Sequence, residues 1–149
     1  HNVGSIFRTA DAMGVKKIYL TGYTPEPHDF FGKLRKDFQK TALGAEKYIN
    51  WEKTKNIFDL IKRLRREKIQ VVALEQSKNS INLKQFRPKK SIALVLGNEV
   101  KGISKSVLRQ FNKIIQIPMC GKKESLNVSV AAGIATWEIS KNHHLLRPR

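Results

Sequence analysis

Cysteine is almost missing from this chain: Cys120 is the only one in 149 residues. One thiol closes no internal disulfide and supplies no Cys-rich zinc site, the usage expected of a cytoplasmic protein. Long apolar runs are missing too. None approaches the ~20 residues of a membrane-spanning helix, so an integral membrane protein is excluded. Acidic residues are scarce, with 12 Asp+Glu against 29 Lys+Arg and a formal net charge of +17. No internal repeat, signal-peptide pattern or initiator Met is present. The chain opens at His1-Asn2, inside what reads as a motif, so we expect an N-terminal truncation that has removed a strand and any RNA-binding extension. With 40% hydrophobic residues, positions 1–149 can build one core and have little room for a second domain.

The cations come in clusters: Lys33, Arg35, Lys36 and Lys40; then Lys62, Arg63, Arg65, Arg66 and Lys68; then Arg87, Lys89 and Lys90. The cluster at 62–68 reads equally well as a solvated helix face. Taken together, the clusters form a field that attracts phosphates and weakens with salt, which points to nucleic acid. A membrane surface fits less well, because no segment pairs a basic face with a broad aromatic-rich apolar one.

Val3, Ile6, Phe7 and Ala10 fall on one helical stripe, with Asn2 as a candidate N-cap and Gly14 as a stop. Lys16-Lys17-Ile18-Tyr19-Leu20 predicts a short buried strand. Residues 23–40 hold Pro25, Pro27, Gly32 and many charges, and predict a loop. Tyr48-Ile49 predicts a weak strand, and Ile57, Leu60, Ile61 and Leu64 an amphipathic helix. Further strands are predicted over 69–74, 92–96 and 114–117, and a last helix over about 125–141. Short, continuously apolar strands alternating with helices predict an α/β protein, a parallel sheet flanked by helices on both faces. Ligands in such folds sit beyond the carboxyl ends of the strands. Two strands end there in polar, glycine-containing sequences, at Gly97-Asn98-Glu99 and at Pro118-Met119-Cys120-Gly121.

Common motifs fail. Gly97 to Gly102 has the glycine interval of a P-loop, but Ile103-Ser104 follows where Lys-Ser/Thr is required. No G-x-G-x-x-G occurs. His143-His144 lacks a third ligand at useful spacing, so no metal site is expected. No Ser/His/Asp arrangement can be argued from spacing.

Three segments remain: Asn2-Val3-Gly4-Ser5-Ile6-Phe7-Arg8-Thr9-Ala10; Leu94-Val95-Leu96-Gly97-Asn98-Glu99-Val100-Lys101-Gly102-Ile103; and Ile117-Pro118-Met119-Cys120-Gly121 followed by Glu124-Ser125-Leu126-Asn127-Val128-Ser129-Val130-Ala131. In this order, with Lys40-Thr41-Ala42-Leu43-Gly44-Ala45 between the first two, nearly the whole chain resembles the SpoU (TrmH-like) ribose 2′-O-methyltransferases of the SPOUT superfamily. The resemblance implies a deep trefoil knot in the C-terminal part, against the general rule that chains do not thread loops. It also implies a homodimer whose active site is completed across the interface, S-adenosylmethionine as cofactor, and tRNA or rRNA as substrate. The alternative is an RNA-binding protein of the same fold without methyl transfer. A small-molecule nucleotide enzyme is a third class, which predicts no affinity for RNA.

The resemblance assigns catalysis to Arg8, Asn2, Glu99, Ser125 and Asn127. It assigns cofactor binding to Leu96, Gly97, Asn98, Ile117, Met119, Gly121, Ser125, Leu126 and Asn127. Arg8 lies about 140° around its helix from Val3, off the buried stripe. Gly4 and Asp11 share its flank, Gly4 leaving space for substrate and Asp11 positioned to hold the guanidinium. A guanidinium is a poor base at neutral pH, so a phosphate clamp that eases deprotonation of the ribose hydroxyl suits Arg8 better. Gly97 would let a ligand approach the backbone, or is an ordinary strand-to-loop glycine. Glu99 has a structural alternative, a salt bridge to Lys101. Asn2, Ser125 and Asn127 read equally as helix caps. Ile117, Met119 and Leu126 supply apolar walls for an adenosine, and the small-sided run 129–135 suits close helix packing at a dimer seam or knotted core.

Overall fold

The computed structural model describes residues 1–141, so His143 and His144 lie outside the described residues. Five helices and six strands follow one another as α1 (Asn2–Ala12), β1 (Lys17–Thr21), α2 (Lys36–Ala42), β2 (Asn50–Thr54), α3 (Ile57–Arg66), β3 (Gln70–Leu74), β4 (Ile81–Asn82), β5 (Ile92–Leu96), α4 (Lys105–Leu108), β6 (Ile114–Gln116) and α5 (Val128–Lys141). A 3₁₀ turn, Ala45–Lys47, precedes β2. All strand pairs are parallel, as expected. β1 pairs with β2, and a second sheet runs β4-β6-β3-β5.

Successive residues of β3 point to opposite faces, and both faces are covered. Val71 and Ala73 pack with Leu60, Ile61 and Leu64 of α3, while Val72 packs with Ile115, Ala135 and Ile139, the latter two on α5. A third cluster joins Phe7 and Ala10 of α1 to Leu20, Phe38, Ala42, Ala45 and Ile49. Phe7 and Phe38 meet edge to face at 5.1 Å between centroids.

Some local expectations need correction. Tyr48-Ile49 is not a strand: the backbone turns there, and β2 starts at Asn50. Its partly polar sequence is held by ion pairs, Glu52 taking Lys17 at 2.8 Å and Arg63 at 2.6 Å. The segment 23–40 is not all loop, since α2 begins at Lys36. The last helix begins at Val128 and not at Ser125. Gly4 makes room for α2, not for substrate: a Cβ there would collide with Thr41 Oγ1 and lie 3.1 Å from the Phe38 carbonyl.

β5 and β6 flank β3 on opposite sides, so the chain reverses its direction of sheet growth between them. In parallel sheets the crevice at such a reversal, outside the carboxyl ends, is where ligands bind. The loops after β3, β5 and β6 all leave from that edge.

Candidate active site

The site is organised by the N-terminus of α5. Asn127 precedes that helix, and its Oδ1 accepts from the N–H groups of Ser129 (2.9 Å) and Val130 (3.4 Å) and from the Ser129 hydroxyl. Those donors fix which end of the amide is oxygen. Its Nδ2 therefore points away from the helix, donating to Asn2 Oδ1 at 3.0 Å and Glu99 Oε1 at 3.2 Å. With its oxygen so engaged, Asn2 turns its own Nδ2 to Glu99 Oε2 at 2.7 Å. One carboxylate thus receives an amide donor on each oxygen, from residues 97 and 28 positions away in sequence.

The structural alternatives resolve differently at each residue. Asn2 is the first residue of α1, not its cap; His1 holds the cap position and makes no side-chain cap bond. Glu99 bonds to the two asparagines and not to Lys101. Asn127 is both a cap and a member of the cluster. Ser125 is exposed and, among the described residues, caps nothing and is not joined to the cluster. Arg8 is exposed on α1 and, among the described residues, pairs with neither Asp11 nor any other group. Its guanidinium is left as an unengaged set of donors among the described residues.

Glu99 is presented by a tight turn. Asn98 and Gly102 exchange backbone hydrogen bonds of 3.1 and 2.8 Å, and Asn98 Oδ1 accepts from the N–H groups of Val100 and Lys101. Gly97 is required by this turn: a Cβ would lie 2.5 Å from the Gly102 carbonyl carbon and 2.6 Å from Ile103 N. The chain's own backbone is enough to account for this glycine. Sequence reasoning missed Glu75, directly after β3. Its Oε2 accepts from Ile103 N at 3.0 Å and its Oε1 from Gln76 N, while Gln76 Nε2 donates to the Ile117 carbonyl at 3.3 Å. Two neighbouring side chains thus tie all three loops together. A carboxylate at the end of a buried strand was the available signal.

Residues 119–126 lead straight into Asn127 and form no hydrogen bonds with other described residues. Met119 and Ile117 are half-buried, Leu96 ends β5 half-buried, and Leu126 and Gly121 are exposed. Backbone donors and acceptors beside apolar side chains are what an adenosine and an amino-acid carboxylate require. The residues fit such a group.

The basic clusters divide by residue type. Arg35 pairs with Asp37 at 3.3 Å, Arg63 with Glu52, Arg65 donates to the Gln110 carbonyl, and Arg87 donates to the carbonyls of Lys84 and Phe86. The exposed lysines and Arg66 are left to form the outward field. No helix among the described residues is long and apolar enough to cross a membrane.

Known proteins share this chain's sequence pattern and fold. The chain matches the SpoU rRNA Methylase family over residues 1–137. It is 37% identical over 141 residues to the tRNA (guanosine(18)-2′-O)-methyltransferase of Aquifex aeolicus, covering 95% of this chain and 64% of that one. The Escherichia coli K12 enzyme of the same name is 28% identical, with 95% and 58% covered. This chain therefore spans about three fifths of the length of these relatives. Among solved structures, the A. aeolicus TrmH/SpoU tRNA modifying enzyme superposes with a TM-score of 0.79 at 33% identity, covering 97% of this chain and 70% of that one. An AdoMet-bound rRNA methyltransferase from Sinorhizobium meliloti gives 0.84 at 31% identity, with 98% and 52% covered. The three motifs, the parallel α/β fold and the family match over residues 1–137 agree: the chain belongs to the SpoU methylase family.

Proposed function

We propose that this protein transfers a methyl group from S-adenosylmethionine to the ribose 2′-hydroxyl of a tRNA or rRNA nucleotide. The observation that carries the reading is the Asn2–Glu99–Asn127 cluster, assembled from all three motifs at the end of a loop whose polar backbone has no partner among the described residues. Ile117, Met119 and Leu126 would flank the adenosine, with the backbone of 119–126, Leu96, Gly97, Asn98 and Gly121 around it. When bound, S-adenosylmethionine supplies an electrophilic methyl carbon on a positively charged sulfur.

The protein's share of the work is alignment and easing loss of the hydroxyl proton. Arg8 holds a phosphate and lowers the cost of negative charge on the ribose oxygen. Asn2 and Asn127 fix Glu99, which orients the sugar, and Ser125, exposed before α5, is free to hydrogen-bond near the hydroxyl. No metal is required. We further propose that the loops after β3, β5 and β6 are threaded as a deep trefoil knot, a reading supported by their mutual ties through Glu75 and Gln76. Half-exposed Val130, Ile134 and Trp137 line one side of α5 at spacings of four and three. That stripe supports a homodimer that completes the site, working in the cytoplasm with its RNA.

Tritiated methyl donor incubated with the protein and total RNA tests the function. The expected product carries label on a ribose, in an alkali-resistant dinucleotide. Label on a base, or binding of RNA by a folded dimer that shows no donor binding by isothermal titration, would reject the reading in favour of a different transfer or of RNA binding alone.

A further inference from the structure

Two phenylalanines between β1 and α2 stand in water: Phe30 is 97% and Phe31 89% exposed, whereas Phe7, Phe38, Phe86 and Phe111 are buried. Their support is ordered. The Asp29 carboxylate accepts from the N–H groups of Phe31 and Lys33 at 2.9 Å each. Its backbone N–H donates to the Lys33 carbonyl at 2.8 Å, and its carbonyl accepts from Gly32 at 3.0 Å. Gly32 takes the left-handed turn position at φ 77°. Below the turn His28 bridges to Leu34 and its ring stacks on Trp51, 6.5 Å away at 26°. The two phenyl rings meet edge to face, 5.6 Å apart at 87°.

Apolar rings carried into water on a hydrogen-bonded turn call for a partner with flat faces, and an ordered backbone beneath them lowers the entropy lost on contact. The charge around them narrows its chemistry. Lys33 belongs to the same turn, and Lys36 and Lys40 follow on α2, all exposed and unpaired among the described residues. Lys36 and Lys40 also line an open depression of about 490 Å³ with His1, the residue before Asn2, with Gln39 and with Asp37, whose carboxylate is paired to Arg35. A basic track therefore leads from the amide–carboxylate cluster along α2 toward the phenyl tip. Aromatic faces combined with a cationic track are the means by which unpaired nucleotides are bound without sequence preference.

We infer that Phe30 and Phe31 form a stacking platform for unpaired bases flanking the target nucleotide, with Lys33, Lys36 and Lys40 on the intervening phosphates. The inference rests on RNA being the partner. It is tested by fluorescence anisotropy with the whole protein, a labelled unpaired oligoribonucleotide, and a paired duplex of the same length.

F30A/F31A and F30L/F31L should both weaken binding of the unpaired strand by about tenfold or more, since leucine restores bulk but not the ring face. Duplex affinity should stay at the wild-type value. K36A/K40A should instead reduce the slope of log affinity against log salt by about 1.4 for two lost phosphate contacts. Wild-type affinity of F30A/F31A for the unpaired strand, while the wild-type protein binds RNA, overturns the platform and leaves the partner intact. A changed sedimentation coefficient of RNA-free F30A/F31A assigns the tip to a protein contact and overturns it also. No RNA binding by wild-type protein at low salt removes the partner itself.

Discussion

Gly97→Ala is the sharpest test of how the turn bearing Glu99 is built. The new Cβ would meet three backbone atoms: Gly102 C at 2.5 Å, Ile103 N at 2.6 Å and Gly102 Cα at 2.9 Å. None of these can swing aside as a side-chain tip would. Ordinary contact begins near 3.4 Å, so the two segments must part by about 0.9 Å. That movement strains the Asn98–Gly102 pair and the bond from Ile103 N to Glu75. Overpacking of this kind costs ~1–3 kcal/mol, and a lost hydrogen bond adds about 1 kcal/mol. A total near 3 kcal/mol lowers Tm by about 6–12 °C in a chain of this size. Gly121→Ala is the control: nothing lies within 4 Å of its added Cβ and its φ is not positive, so Tm should move by about 1 °C or less. Scanning fluorimetry of both variants reads the contrast, and isothermal titration should show donor binding lost in G97A. A G97A protein that melts with the wild type refutes the account of the turn.

Arg8→Ala should cut methyl transfer by about a hundredfold or more while donor affinity holds, measured by tritium incorporation and calorimetry; full activity would remove Arg8 from the mechanism. The hydrogen bonds from Lys17 and Arg63 hold the Glu52 carboxyl below its ordinary value of 4.5. A carboxylate depressed on folding stabilises above its unfolded pKa, and that contribution is lost as pH falls through the folded one. Wild-type Tm should therefore fall faster than that of Glu52→Gln as pH drops below about 4.5, the two curves converging in strong acid. Ile134→Glu with Trp137→Glu should convert a dimer to monomer in sedimentation velocity, and an unchanged dimer would move the interface off α5.

How much was legible depended on the range of the interaction. Ile92–Leu96, a continuous apolar run, and the helical stripe through Ile57, Leu60, Ile61 and Leu64 follow from local sequence alone, and the structure has both. β4 and α4, at two and four residues, are shorter than any period can register. The strand expected at Tyr48-Ile49 begins at Asn50, where Asn-Trp-Glu-Lys-Thr owes its register to β1 and its ion pairs to Lys17 and Arg63. One residue from each motif, Asn2, Glu99 and Asn127, meets the others in the structure, whereas Arg8 and Ser125 are not joined to them. The neighbours that require glycine, Thr41 for Gly4 and Gly102 for Gly97, are not visible in a local window.

The asparagines show why capping and function were not alternatives to be weighed against one another. An amide has an acceptor end and a donor end, and the two can serve different masters. In Asn127 the oxygen satisfies the otherwise unpaired N–H groups that begin every helix, and this use forces the nitrogen outward. The cap is thus the device that orients the donor pair in Asn127 and, through Asn2, the donors facing Glu99. An aspartate at 127 would keep the cap and lose every outward donor, placing a second carboxylate beside Glu99. Asn127→Asp should then retain Tm within about 1–2 °C and lose methyl transfer, and circular dichroism melts beside tritium incorporation separate the two effects. A large loss of Tm with activity in proportion to the folded fraction would mean that the amide only caps.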